Sequence, residues 1–143
     1  MTHTLDTIKI SDEPEVIRGK WKEIKGRYTE VLKAKNIQFD EGMGPLLDKR
    51  AGQWKKIHTW MERKLPDIEL VKAIGRSAMK SVLQTLISNA NELHTVATNY
   101  RNQIHGHLGD PAERALTAAL DEILSDAEHD RTVGENLLRA YDR

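Results

Sequence analysis

The sequence contains no cysteine, and this absence removes several kinds of site at once. Without thiols the chain can form neither a disulfide framework nor a thiolate zinc site, and it has no thiol nucleophile. The lack of cysteine also fits a reducing compartment. Any chemistry must therefore rest on other side chains, above all on imidazole and guanidinium groups.

Long apolar runs are missing as well. No stretch approaches the roughly 18 consecutive apolar residues that a membrane-spanning helix needs. The N-terminal sequence MTHTLDTIKISDEPE lacks the basic segment followed by an apolar segment that a secretory signal has. We therefore expect a cytoplasmic protein with no membrane partner.

The chain also has no excess of charge of one sign, because 22 basic residues balance 22 acidic ones. This balance argues against a polybasic nucleic-acid coat or an acidic disordered tail. It results from a cancellation, since residues 1–65 carry 14 basic and 10 acidic residues whereas residues 66–143 carry 8 and 12. A basic half and an acidic half suit a protein that pairs with itself or with a charged partner.

Aromatic residues make up only 5% of the chain and runs of β-branched residues are few, which favours helices over strands. Apolar residues instead recur every three or four positions in four amphipathic segments. The first follows Ser11, a candidate N-cap, and the second extends from Pro45 to Pro66. The third begins at Asp67, and the fourth follows Asp110, which also has the position of an N-cap.

The third segment, from Asp67 to Tyr100, covers more than thirty residues or about 50 Å of helix and has the longest apolar stripe. Its members are Val71, Ile74, Ala78, Val82, Leu86, Ala90, Leu93, Ala97 and Tyr100. In the fourth segment a polar interval, Glu128 to Arg131, leaves open whether the last stretch continues the same helix with a kink or forms a short fifth helix. Phe39 is expected to anchor the connection between the first two segments.

These patterns predict an all-α fold, a four- to five-helix up-down bundle. The length fits a single domain over residues 1–143. Residues 1–10 show no clear period, and we expect them to form a loose N-terminal arm.

One segment combines side chains that suit phosphate chemistry, and it lies where the third helix is expected to end. It reads Tyr100-Arg101-Asn102-Gln103-Ile104-His105-Gly106-His107. Arg101 offers a planar fork of donors for a phosphate, and His107 can accept and return a proton near neutral pH. Such a pair is a minimal set for cleaving RNA through its own 2′-hydroxyl, because guanidinium stabilises the charge that develops on the phosphate.

These residues resemble the HEPN superfamily, whose mark is an Arg-x(4–6)-His motif in a helical bundle, usually with Asn, Asp or His after the Arg. Here five residues separate Arg101 from His107, and Asn102 fills the polar position. The closing His-Gly-His is also similar to the corresponding segment of abortive-infection members. The motif covers about seven residues, and the helical layout extends the resemblance loosely across the chain.

The resemblance implies a metal-independent endoribonuclease that acts on RNA as a homodimer, with the two motifs facing each other. Arg101 would bind the scissile phosphate, His107 would be the general acid/base, and Asn102 would orient the phosphate or the imidazole. His105 lies outside the family spacing and is the reserve candidate for the working imidazole. Members commonly act as toxins or defence effectors beside an antitoxin, and the resemblance implies no metal or other cofactor.

Three other interpretations stay open. The chain could be a helical interaction protein without catalysis, of immunity, antitoxin or adaptor type, that docks a partner protein through a charged helix face. The segment could bind a divalent metal through His105, His107 and Asp110, with His129 or Glu113 as a further ligand. It could also be a structural turn in which Asn and His side chains only cap helix ends.

The remaining charged residues and histidines have simpler interpretations. We expect two solvated faces, with RNA affinity as the alternative for the basic one and a partner surface as the alternative for the acidic one. The basic set is Lys20, Lys22, Lys25, Arg27, Lys33 and Lys35, and the acidic set is Asp121, Glu122, Asp126, Glu128 and Asp130. His58 and His94 lie near apolar stripes and are predicted to be partly buried and hydrogen-bonded.

Overall fold

The computed structural model describes residues 4–10, 12–39, 42–109 and 111–142, and these ranges contain helices but no β-strand. The all-α prediction is therefore confirmed. The described elements are a 3-10 turn, Thr4–Thr7, and six α-helices: α1 (Pro14–Arg27), α2 (Thr29–Ala34), α3 (Met43–Glu62), α4 (Asp67–Ile74), α5 (Arg76–Ile104) and α6 (Ala112–Tyr141). The predicted N-caps Ser11 and Asp110 lie outside the described residues. Within these ranges, no helix has both the length and the apolar character that a membrane span needs.

Two of the predicted helices are divided in the structure. The first is interrupted at Tyr28, which separates α1 from α2. The third is interrupted at Gly75, whose φ of 99° is favourable only for glycine and whose N–H donates to Val71 O at 2.8 Å. Within α5, which begins after this break, Met79 and Leu83 are buried and the predicted stripe member Ala78 is exposed, because residues spaced four apart drift around the helix by about 40° per step.

The two longest helices, α5 and α6, pack against each other in antiparallel order. Residues 90–104 of α5 share a hydrophobic core with residues 112–127 of α6, and residues 79–86 share a second core with residues 133–141. Gly134 permits close approach, because a Cβ at that position would lie 2.6 Å from Ile87 Cγ1. Since α6 is continuous from Ala112 to Tyr141, the last stretch belongs to the same helix and is not a separate fifth one.

Three aromatic rings attach α1 and the following connection to the end of α5. The ring centroids of Phe39 and Tyr100 are 4.2 Å apart with the rings nearly parallel, and Trp21 stacks on Tyr100 at 6.0 Å. Phe39 is thus the predicted anchor. Because Tyr100 directly precedes Arg101, this stack fixes the backbone from which the candidate site projects.

The described part of the N-terminal arm, residues 4–10, packs against the helices. Leu5 is buried in the second core, and Thr4 donates from its backbone N–H and its hydroxyl to the Asp67 carboxylate at 3.1 and 2.5 Å. The hydroxyl of Tyr141 donates to the same carboxylate at 3.1 Å. Asp67 therefore connects the N-terminal turn, the start of α4 and the end of α6.

Candidate functional site

The four predicted site residues lie together at the tip of the α5–α6 hairpin. Arg101 and Asn102 are in the last turn of α5, and His105 and His107 are in the turn that follows it. All four side chains are exposed. The intervening Ile104 and the following Leu108 are buried, and they hold this exposed tip onto the hydrophobic core.

Backbone hydrogen bonds give the turn a defined shape. The N–H of His105 donates to Arg101 O at 3.1 Å, and the N–H of His107 donates to Ile104 O at 3.0 Å. Gly106 between them has a φ of 76°, which the chain needs in order to reverse here. The sequence Ile-His-Gly-His thus stops α5 and presents both imidazoles to solvent.

The start of α6 closes the turn from the other side. The Glu113 carboxylate accepts a hydrogen bond from the N–H of Leu108 at 3.2 Å. This side-chain hydrogen bond ties the first turn of α6 to the turn that precedes it. Glu113 is therefore part of the turn's structure.

Arg101 forms an ion pair that crosses from α5 to α6. Its Nε lies 2.9 Å from Asp121 Oδ1, and the two side chains are 46% and 52% exposed. The next residue, Glu122, lies 3.8 Å from the ammonium group of Lys20 on α1. Two adjacent carboxylates of α6 thus each face a cation, one from α5 and one from α1.

The structure places Arg101 and the two histidines at the same tip but does not join them. Within the described ranges, no hydrogen bond or ion pair links the guanidinium or Asn102 to His105 or His107. The four side chains are instead each exposed to solvent at the tip. A bound RNA strand can therefore contact them only at the surface of the protein.

The described residues contain no cluster of ligands that would support the metal interpretation. Among them, no set of three or more His, Asp or Glu side chains converges, and Asp110 lies outside the description. His129 is seventeen positions after Ala112, about 25 Å along α6, and it lines a small cavity beneath the N-terminal segment. Glu113 is engaged with the backbone of the turn.

The two remaining internal histidines differ from each other. His58 is partly buried as predicted and packs beside Trp54 with the ring centroids 6.1 Å apart, but its buried Nε2 has no hydrogen-bond partner among the described groups. His94 is exposed, so the prediction of partial burial is wrong for it, and its Nε2 lies 3.7 Å from a Glu128 carboxylate oxygen. Neither lies at the hairpin tip.

Sequence reasoning missed a buried ionic cluster between α3 and α6. Arg50 is 1% exposed and binds Asp130 through Nε at 2.6 Å and Nη2 at 3.2 Å. Trp54 Nε1 donates to the same carboxylate at 3.0 Å, and Asp126 Oδ2 lies 3.9 Å from Arg50 Nη2. Asp126 and Asp130 are both buried, so their assignment to a solvated acidic face is wrong.

The cluster includes a carboxyl group with a perturbed pKa. Burial raises the pKa of Asp126 above its usual value, the Arg50 charge opposes this, and the Asp130 charge adds to it. No described group donates a hydrogen bond to Asp126 Oδ2, and Arg50 Nη1 is likewise buried without an acceptor. This cluster holds the middle of α6 against α3 and lies away from the exposed hairpin tip.

A groove at the opposite end of the molecule was also missed. Its volume is about 830 Å³, and its lining residues are Thr4, Pro66, Asp67, Ile68, Glu69, Val71, Lys72, Arg76, Ala140 and Tyr141. Ile68 at this groove is 73% exposed, more than the other exposed large hydrophobic residues of the described ranges, Val16 and Val31. The two acidic and two basic side chains of the lining cancel in formal charge.

The chain was compared with models of known protein families, with curated proteins and with solved structures. None of these comparisons gives a match. The interpretation of the hairpin tip therefore rests on its own residues and their placement.

Proposed function

We propose that the protein is an HEPN-like, metal-independent endoribonuclease whose site is the tip of the α5–α6 hairpin. One observation carries this proposal: Arg101 ends a long helix, and His107 follows it in a tight turn, with both side chains exposed at the same tip. A guanidinium and an imidazole so placed can contact one phosphodiester from outside. The all-helical fold is consistent with the superfamily that the motif resembles.

The proposed reaction is cleavage by transesterification. His107 takes the proton of an RNA 2′-hydroxyl as the oxygen attacks the adjacent phosphorus, and the bond from phosphorus to the 5′-oxygen breaks. The products are a 2′,3′-cyclic phosphate and a 5′-hydroxyl, whose proton comes from an imidazolium. Arg101 stabilises the charge on the phosphoryl oxygens. Asn102 orients the phosphate or the imidazole, and His105 is the alternative proton carrier.

The proposal includes an assembly and a topology. We propose an up-down bundle in which the antiparallel α5 and α6 are the central pair, and a homodimer in which two hairpin tips face one RNA cleft. Exposure of the four site residues supports this assembly, since a second copy can reach them. A toxin or defence effector, held in check by an antitoxin, is the biological role that fits such an activity.

The test is cleavage of single-stranded RNA in the presence of EDTA, with the product ends identified. We expect 2′,3′-cyclic phosphate ends from the wild type, and at least a hundred-fold lower rate for Arg101→Ala and for His107→Ala, in line with the usual loss of a charge-stabilising group or a general acid/base. Matched controls lie on the same helix: Arg76→Ala and His94→Ala each remove an exposed side chain of the same type. Cleavage that is unchanged in both tip variants, or absent in the wild type, would refute the proposal.

The groove at the far end favours a second candidate, a non-catalytic interaction protein of immunity, antitoxin or adaptor type. The exposed Ile68 and the apolar part of the lining are features of a protein-binding surface. Under this hypothesis a copurifying partner is lost in Ile68→Asp and retained in Arg101→Ala and His107→Ala. The reverse result favours the nuclease.

A further inference from the structure

The guanidinium of Arg101 is already in contact with a carboxylate. Asp121 Oδ1 lies 2.9 Å from Arg101 Nε, and Nε belongs to the edge of the guanidinium that binds two oxygens side by side. We infer that Asp121 is a built-in competitor of the RNA phosphate, which must displace this carboxylate to bind Arg101. The inference rests on the proposed function and names what limits RNA affinity at that site.

The pairing of the two helices keeps Asp121 in place. Two ion pairs and one histidine–carboxylate contact share one antiparallel register. Arg101 pairs with Asp121, Lys80 of α5 pairs with Asp142 just after α6, and His94 Nε2 lies 3.7 Å from Glu128. From one pair to the next, the residue number on α5 rises by the same amount as the residue number of its partner falls. Two hydrophobic cores fix this register, so Asp121 stays beside Arg101 when its ion pair opens.

The Arg101–Asp121 ion pair is also weak enough for a phosphate to displace the carboxylate. Both side chains are about half exposed, at 46% and 52%, so water and dissolved ions compete for each of them. Exposed pairs of this kind contribute little, whereas a bidentate contact to phosphate gains geometry as well as charge. Asp121 therefore lowers RNA affinity without preventing binding.

The chain offers an adjacent carboxylate as a control. Glu122 is 53% exposed, like Asp121, but its nearest cation is Lys20 at 3.8 Å. Asp121→Asn and Glu122→Gln change the net charge by the same amount at neighbouring positions. A difference between the two variants therefore reports the contact with Arg101 and excludes a general electrostatic effect.

The experiment measures binding of an RNA oligonucleotide with 2′-O-methyl groups, which cannot be cleaved, and the steady-state kinetics of its 2′-hydroxyl counterpart. For Asp121→Asn we expect the Kd and the KM to fall about two- to five-fold, as displacement of one exposed pair allows, with kcat unchanged. Glu122→Gln should stay within about 1.5-fold of the wild type, and Asp121→Glu should restore wild-type binding. A merely structural role of Asp121 would not produce this separation of KM from kcat.

Three results would overturn the inference while leaving the proposed function intact: equal effects of Asp121→Asn and Glu122→Gln, weaker binding in Asp121→Asn, or a lower kcat with unchanged KM. The last two would make Asp121 a positioning residue for Arg101. A wild-type protein that neither binds nor cleaves RNA would overturn the proposed function, and the inference with it. If Arg101→Ala abolishes cleavage and Asp121→Asn has no effect, the inference about Asp121 fails while the proposed function stands.

Discussion

Two arginine–aspartate pairs in this protein share a contact between the arginine Nε and a carboxylate oxygen, but their environments are opposite. Arg50 Nε binds Asp130 at 2.6 Å, and Arg101 Nε binds Asp121 at 2.9 Å. The side chains of the first pair are no more than 2% exposed, whereas those of the second are about half exposed. The buried charges have no water to replace a lost partner, but the exposed charges do. The first pair is therefore a fixed structural link, and the second can be exchanged for a ligand.

The largest effect should follow from removal of the buried arginine. Arg50→Ala leaves Asp130 and Asp126 buried without their cation, so we expect a loss of about 3–5 kcal/mol in the free energy of unfolding, as for other broken buried pairs. Arg101→Ala should stay within about 0.5 kcal/mol of the wild type, because its partner returns to solvent. Urea denaturation followed by circular dichroism measures both.

A second variant keeps this prediction testable where Arg50→Ala fails to fold. Replacing the pair together, in Arg50→Met with Asp130→Leu, removes both charges and leaves no unpaired ion, so it should cost less than Arg50→Ala alone. An Arg50→Ala protein with wild-type stability would show that the cluster contributes nothing and that the comparison is wrong.

The burial of the Arg50–Asp130 pair could have been predicted from the sequence, because each of the two helices carries a charged residue on or beside its apolar stripe. Arg50 lies three residues after Leu47 and four before Trp54, which places it on the apolar stripe of α3. Asp126 and Asp130 are four apart and adjoin the stripe of α6. Opposite charges on the buried faces of two helices indicate an internal pair. Treating Asp126 and Asp130 as part of one acidic stretch does not reveal the pair, because it disregards which face of the helix each residue occupies.

The exposed pair could be predicted only in part. The apolar stripe that ends at Tyr100 places the next residue, Arg101, outside the buried face of the helix, and Arg101 is exposed in the structure. Its partner depends on the register of α5 against α6, which follows from three-dimensional packing, including the close approach at Gly134. The same applies to the break at Gly75, where a backbone with a φ of 99° separates α4 from α5 inside one continuous apolar pattern.

A smaller effect should appear in the pH dependence of stability. Because the pKa of Asp126 is raised in the folded protein, the folded state binds more protons than the unfolded state above the usual pKa of about 3.8. The free energy of unfolding therefore falls as the pH rises from about 4 through the raised pKa. Asp126→Asn removes this decline, so it should gain stability relative to the wild type as the pH rises. Parallel pH profiles for the two proteins, from urea titrations at pH 4 to 8, would contradict this account.

The smallest effect belongs to the exposed pair itself, and it decides whether Arg101 is free to change partners. A double-mutant cycle with Arg101→Ala and Asp121→Asn should give a coupling of about 0.2–1 kcal/mol at low salt, because both side chains are half exposed. In 1 M salt, where screening extends over about 3 Å, the coupling should fall towards zero. The buried pair should keep its coupling under the same conditions. A coupling at Arg101 as large and as insensitive to salt as that at Arg50 would mean that Asp121 holds the guanidinium too tightly for a phosphate to displace it.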